Sequence, residues 1–176
     1  MFAFSFFGCK GSHSEHKEEL AEDEIKHRPV YHFSPKSHWM NDPNGMFYYQ
    51  GIYHLCFQHN PYDDVWGPMH WGHATSEDLL VWKEHDLAIY PDSIGTIFSS
   101  SAVVDLNNTS GFGQDSPPIV AMYTNHSHEG TDACRIDYQT QSITYSLNQG
   151  FTYTKYENNG DYILKCQKPF DFSDSS

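Results

Sequence analysis

The stretch His38-Trp39-Met40-Asn41-Asp42-Pro43-Asn44-Gly45, running directly into Met46-Phe47-Tyr48-Tyr49-Gln50-Gly51-Ile52-Tyr53-His54-Leu55-Cys56-Phe57-Gln58, decides the fold. Its second part holds two β-rich runs, 46–49 and 52–58, joined by Gln50-Gly51, a two-residue connection whose glycine can take the positive φ that a tight hairpin requires. An antiparallel pair is predicted. In the first part, Pro43 fixes φ and Asn44-Gly45 lets the chain reverse, so Asp42 is expected in a rigid turn just before the first strand. A carboxylate preorganised in this way suits a nucleophile. Every residue of the turn is also a common turn former, and on composition alone a plain Asx-turn is the favoured reading.

Outward from this hairpin, runs 70–76 and 82–90 complete a first set of four strands. Runs 98–106, 119–125, 141–147 and 151–156 make a second, separated by Gly-, Asn- and Pro-rich segments and by Asn148-Gln149-Gly150. A helical turn is expected over 77–81. No run sustains a 3.6-residue apolar period, which argues against an α/β alternation and for an all-β fold. Two successive four-stranded antiparallel units are the pattern of two β-propeller blades, and a sandwich with similar strand spacing shares it.

A chain of 176 residues is long enough for one domain with a real core, yet short for most β-propellers. Aromatic residues form 16% of it, a content that serves half-buried strands and sugar-binding walls alike. The formal net charge of −13, with only ten Lys and Arg, opposes binding to nucleic acid or to anionic membranes, because both depend on basic side chains. A neutral sugar escapes that repulsion, and acidic groups stabilise positive charge that develops during a reaction. No apolar run reaches the length of a membrane-spanning helix. Cys9, Cys56, Cys134 and Cys166 form no CxxC pair, so neither a zinc ribbon nor a disulfide scaffold is indicated, and Cys56 reads as a buried strand thiol.

Residues 1–28 read as a tail and the folded part as 29–176, since 10–28 are dominated by Lys, Glu, His and Ser. The apolar residues 1–9 lack a basic start and end in a sequence resembling a bacterial lipobox, with Cys9 as the lipidated residue; a disordered tail or a misplaced start is the alternative. An exported protein, secreted or in the cell envelope, is expected under either. Asn107, Asn108 and Asn125 each begin an N-x-S/T sequon, relevant only to secretion from a eukaryotic cell.

The segments around Asp42 resemble glycoside hydrolase family 32, the invertases, inulinases and levanases. His32-Phe33-Ser34-Pro35 and 39–45 are similar to the opening motif of that family, which makes Asp42 the nucleophile by resemblance and places Asn41 against the substrate. Phe57-Gln58-His59-Asn60-Pro61 and 66–74 resemble the next segments, which gives Gln58 and Trp66 sugar contacts. Residues 97–105 resemble the Phe-Ser-Gly-Ser stretch, with Phe98 and Ser99 lining the site and Ser100 where glycine is usual, a place where a Cβ crowds the backbone if the position needs positive φ. The resemblance runs from about His27 to Asn159. It implies part of a five-bladed β-propeller: about two four-stranded antiparallel blades and the start of a third.

What the resemblance implies chemically is retaining hydrolysis of sucrose or of a fructan, inulin or levan, without metal or other cofactor. The Arg-Asp-Pro motif of the family, whose Asp stabilises the transition state, has its nearest counterpart in Asp174, within a Ser/Asp-rich segment that also reads as a plain terminus. No Glu matches the Glu-Cys segment that supplies the general acid, so a truncated chain with weak or no activity is expected. A non-catalytic carbohydrate-binding remnant is the alternative. His54, His59, His70 and His73 include an H-x-x-H spacing, but His70 and His73 fall on a strand, where residues three apart point to opposite faces, so structural hydrogen bonds rather than metal ligation are expected of them.

Overall fold

The structure is a computed structural model that describes residue 29, residues 31–129 and residues 138–159. Packing divides the chain into residues 1–34 and 35–176, and every described strand belongs to the second unit. The strands are β1 (Trp39–Tyr49), β2 (Ile52–Asn60), β3 (His70–Ser76), β4 (Lys83–Glu84), β5 (Thr96–Val104), β6 (Ile119–His126), β7 (Gln139–Ser146) and β8 (Thr154–Lys155). They form two four-stranded antiparallel sheets, β1-β2-β3-β4 and β5-β6-β7-β8. Each sheet is a simple meander, and the chain passes from the outermost strand of the first to the innermost strand of the second.

That passage, together with β1 lying beside β5, is the blade-to-blade step of a propeller, and it removes the sandwich alternative. The start of a third blade and the Cys9 anchor fall outside the described residues. The Gln50-Gly51 hairpin forms as expected, with φ of 50° and 87°. Both values are positive, as a type I′ turn demands.

Four expectations need correction. The segment carrying Asp42 lies inside β1 rather than ahead of it, because two bulges absorb its surplus residues while pairing to β2 continues from Trp39 to Tyr49. The expected strand over 82–90 shrinks to Lys83–Glu84 plus an isolated bridge between Trp71 and Ile89. The strand over 151–156 shrinks likewise to Thr154–Lys155, so both outer edges are short, a common protection against edge-to-edge pairing. No helical turn forms at 77–81: Asp78 Oδ1 accepts from the amides of Leu80 and Val81, and Ser76 Oγ from that of Leu79, which wraps the backbone into side-chain-capped bends.

The core is shared between the sheets. Cys56 and Trp71 from the first pack with Ile97, Ala121 and Tyr123 from the second, with Ala88 and Ile89 between. Strand β6 shows the two-residue period, Ile119, Ala121 and Tyr123 turned inward and Met122 outward. Cys56 is the buried strand thiol its sequence suggested, and burial pushes its ionisation far above the usual thiol range. Trp71 is fully buried, and an aromatic ring of that size removes roughly 150–250 Å² from water. That is on the order of 4–6 kcal/mol of transfer free energy before entropy is counted.

Beside this core runs a stack of imidazoles. His54 lies face to face with Phe47 at 4.4 Å and shares a 3.0 Å hydrogen bond between its Nδ1 and His73 Nε2; His73 in turn stacks on His85 at 5.0 Å. Phe151, arriving from the β7–β8 connection, sets its edge against all three rings. His70 is separately engaged, donating from Nδ1 to the Pro68 carbonyl at 2.9 Å. His70 and His73 thus make the structural hydrogen bonds expected of them.

Burial, and secondarily His85, lowers the His54 pKa to about 4; burial, and secondarily His54 and His85, lowers that of His73 to about 3. Both rings are neutral when folded, whereas an unfolded chain protonates them near 6.5. Below that pH the unfolded state binds protons that the native state refuses, so these groups make stability fall with acidification. Melting temperature measured against pH is therefore expected to decline from about pH 6.5 down to about 4, and the part of that window above about pH 5.5 lies clear of the range where ordinary carboxylates titrate. A flat profile across that window would show that the stack is not closed in solution.

Candidate active site

Asp42 is the extra residue of the first β1 bulge. Asn41 pairs with Gln58 and Pro43 with Phe57, so Asp42 has no partner on β2. Its φ is +43°, a conformation that a side-chain-bearing residue adopts at a cost of about 1–3 kcal/mol and that bulges next to active sites use to re-aim a side chain. The second bulge sits between Asn44 and Phe47 and contains Gly45 at φ +54°. A Cβ on Gly45 would stand 2.4 Å from the Trp71 ring, so the glycine serves both its backbone angle and the seat of that indole.

A third irregularity completes the arrangement. On β5 the register shifts between Ile97 and Ser100, and the residues at that shift are Phe98 and Ser99. Ser99 Oγ donates to Asp42 Oδ2 at 3.0 Å, Gln58 Nε2 donates to the same oxygen at 3.3 Å, and Gln58 Nε2 also donates to Ser99 Oγ at 2.6 Å. The serine hydroxyl therefore receives one proton and gives one, an arrangement in which each bond polarises the next. Both donors converge on Oδ2, which leaves Oδ1 outside these bonds. Asp42 is exposed and Ser99 half-buried, whereas Gln58 is 4% exposed.

Trp66 and Phe98, both named from the family resemblance, are brought together. Their ring centroids lie 6.3 Å apart, nearly perpendicular. Phe98 stacks flat on His126 at 4.5 Å and Trp66 meets His128 edge-on at 5.9 Å, so the wall includes two histidines the sequence did not single out. Their signal was weak, because a His-Ser-His run after a strand is unremarkable by composition. Asn60 Nδ2 donates to the Val65 carbonyl at 2.9 Å and pins the loop that presents Trp66, which is 48% exposed. Asn41 accepts the Trp39 indole N–H at 3.0 Å.

Ser100 is not among the residues of positive φ, so its side chain brings no backbone strain. Asp174 lies outside the described residues. Two surface cavities, about 430 and 330 Å³, are lined by other residues and share His85; neither has Asp42, Gln58 or Ser99 in its wall. The Asp42 carboxylate is exposed, Ser99 beside it is half-buried and Gln58 behind it is buried.

Residues 32–174 match the glycosyl hydrolases family 32 N-terminal domain. A levanase of Bacillus subtilis is 56% identical over 135 residues, which is 76% of this chain and 19% of the levanase. Among solved structures, an exo-inulinase of Aspergillus awamori superposes with a TM-score of 0.70 at 45% identity, covering 80% of this chain and 29% of its own. A β-fructofuranosidase of Schwanniomyces occidentalis complexed with fructosyl-erythritol gives 0.69 at 49% identity, covering 78% and 27%. The chain thus spans less than a third of the length of each of these relatives.

Replacing Gly45 by Ala should destabilise the fold by about 1–3 kcal/mol, the usual effect of overpacking, increased by the positive φ. Denaturant unfolding of the variant beside the parent measures it. Equal midpoints would mean that Trp71 does not lie against the bend.

Proposed function

The chain belongs to glycosyl hydrolase family 32, and from that membership we propose that it supplies the nucleophilic half of a retaining β-fructosidase acting on sucrose or a fructan. The observation that carries the reading is the Asp42 carboxylate, set at a bulge and held through one oxygen by Gln58 and Ser99. Retaining hydrolysis needs a carboxylate to attack the anomeric carbon and a carboxylic acid about 5 Å away to protonate the departing oxygen.

In this mechanism Asp42 Oδ1, the oxygen free of the two donors, forms a bond to C2 of the β-fructofuranosyl unit. The C2–O bond to the leaving sugar breaks as the second carboxyl group donates its proton to that oxygen. The same group, now ionised, takes a proton from water, and the hydroxide attacks C2, releasing fructose and restoring Asp42. Gln58 and Ser99, aimed at the carboxylate, would hydrogen-bond the sugar hydroxyls beside it; Asn41 flanks the nucleophile, and Trp66 with Phe98 would offer apolar ring faces for the C–H surfaces of the furanose. Asp174 is proposed as a second acidic group stabilising the oxocarbenium-like transition state, whose positive charge the surplus of acidic residues also favours.

The general acid is proposed to come from a Glu-Cys segment, which the 176 residues do not contain. General acid catalysis is typically worth 10²- to 10⁴-fold, so this chain by itself should turn over slowly if at all. Export accompanies the reading, since related exo-inulinases are described as extracellular.

The test is fructose release from sucrose, inulin and levan by the intact protein, by this 176-residue chain, and by each with Asp42→Asn. The intact protein should release fructose, and Asp42→Asn should lower kcat on the order of 10³-fold or more, as loss of other catalytic carboxylates and nucleophiles does. Sugar binding by calorimetry to this 176-residue chain, with no release from it, would establish the carbohydrate-binding remnant for this chain instead. Release undiminished by the substitution would remove Asp42 from the nucleophile's role.

A further inference from the structure

A φ of +43° costs Asp42 conformational free energy, so the contacts around it must hold it there. Asn44, two residues on, is placed to do so. Its Nδ2 donates to the Asp42 main-chain carbonyl at 2.6 Å. Its Oδ1 accepts the Trp71 indole N–H at 2.6 Å and the Ser100 main-chain N–H at 3.4 Å. One amide side chain therefore ties the nucleophile's own peptide to the buried tryptophan of β3 and to the backbone of β5 in the neighbouring sheet.

The geometry points to Asn44 as a positioning residue for Asp42, one that fixes the aim of the carboxylate without touching substrate; this rests on the proposed role of Asp42 as nucleophile. Three features support it. Trp71 is fully buried and cannot shift without disturbing the shared core, so the Oδ1 end of Asn44 is anchored. Gly45 leaves room for that indole against the bend, so the anchor and the bulge are built together. Ser99, which holds the Asp42 carboxylate, is the residue before Ser100, whose amide Asn44 accepts, so one side chain sets the spacing between the carboxylate and its donor.

Two substitutions separate the ends of this amide. Asn44→Asp keeps an acceptor for Trp71 and Ser100 but puts an oxygen against the Asp42 carbonyl in place of the N–H. Asn44→Ala removes both ends. Misplacing a reacting group by about 1 Å costs on the order of 10²-fold, so both variants should lose kcat by about that factor on a fructoside while KM changes by no more than about threefold. A residue needed only to seat Trp71 would leave Asn44→Asp at parental kcat and penalise Asn44→Ala in melting temperature alone; that pattern overturns the proposal.

The parent protein and Asp42→Asn serve as references in the same assay. If the intact protein, which carries the general acid, releases no fructose, it is the functional reading that fails, and Asn44 is then judged by structure. A crystal structure of the Asn44→Ala variant should show the Asp42 carboxylate displaced from Ser99 and its φ relaxed to a negative value. An unchanged φ and an unchanged Ser99 bond would overturn the positioning role whatever the kinetics.

Discussion

Everything in the site depends on one backbone anomaly: an aspartate with positive φ standing as the unpaired residue of a bulge in β1. A regular strand would alternate its side chains and send residues 41 and 43 to one face and 42 to the other, with every amide committed to the ladder. The bulge releases Asp42 from pairing and turns it. Pro43, which has no N–H to offer, follows where an ordinary ladder would want a donor, and Gly45 accepts the second positive φ with no side chain to crowd Trp71. The distortion survives because the indole beneath it is part of the core, so relaxing the bend would open the core shared by the two sheets.

A second consequence is that the site belongs to neither sheet alone. Asp42 comes from β1, Gln58 from β2 and Ser99 from β5, and the hydrogen bonds among them cross the junction where the inner strands meet. Core residues lie on both sides of the same junction. The orientation of the carboxylate is therefore coupled to docking of the two sheets, and a change that loosens the packing of Ile97 or Tyr123 against Trp71 reaches Asp42 through Ser99 without any direct contact.

Much of this was legible in the sequence, and the part that was not has a physical reason. The hairpin could be read because Gln50-Gly51 between two β-rich runs has few other solutions, and β6 because its alternation is clean. Strand spacing could not choose between propeller and sandwich, since it is the same in both; the family resemblance chose the propeller, and the pairing order agrees. The outer strands were overestimated because β-rich composition at 82–90 and 151–156 persists beyond the residues that make ladder bonds. Asp42, Gln58, Ser99, Trp66 and Phe98 were each picked out by motif, yet their mutual geometry was hidden. Turn chemistry at Asp42-Pro43-Asn44-Gly45 looks identical whether it ends a strand or bulges one, and nothing at Phe98-Ser99 marks a register shift. His126 and His128 escaped notice for the opposite reason, being ordinary residues made relevant only by the rings stacked against them.

The asymmetry of the Asp42 carboxylate follows from the same construction. Hydrogen bonds to an anionic oxygen stabilise it and lower its reactivity, so two donors on Oδ2 leave Oδ1 the more nucleophilic of the pair. Gln58 is nearly buried and lies on a strand with neighbours on both sides, which fixes the direction of its amide; Ser99 is held in turn by that amide. The carboxylate plane is thereby set by a buried group rather than by solvent, although the carboxylate itself is exposed. The carboxylate so arranged stays open to solvent while its orientation is paid for by the core, which is why the bulge, the tryptophan behind it and the glutamine beside it act as one unit.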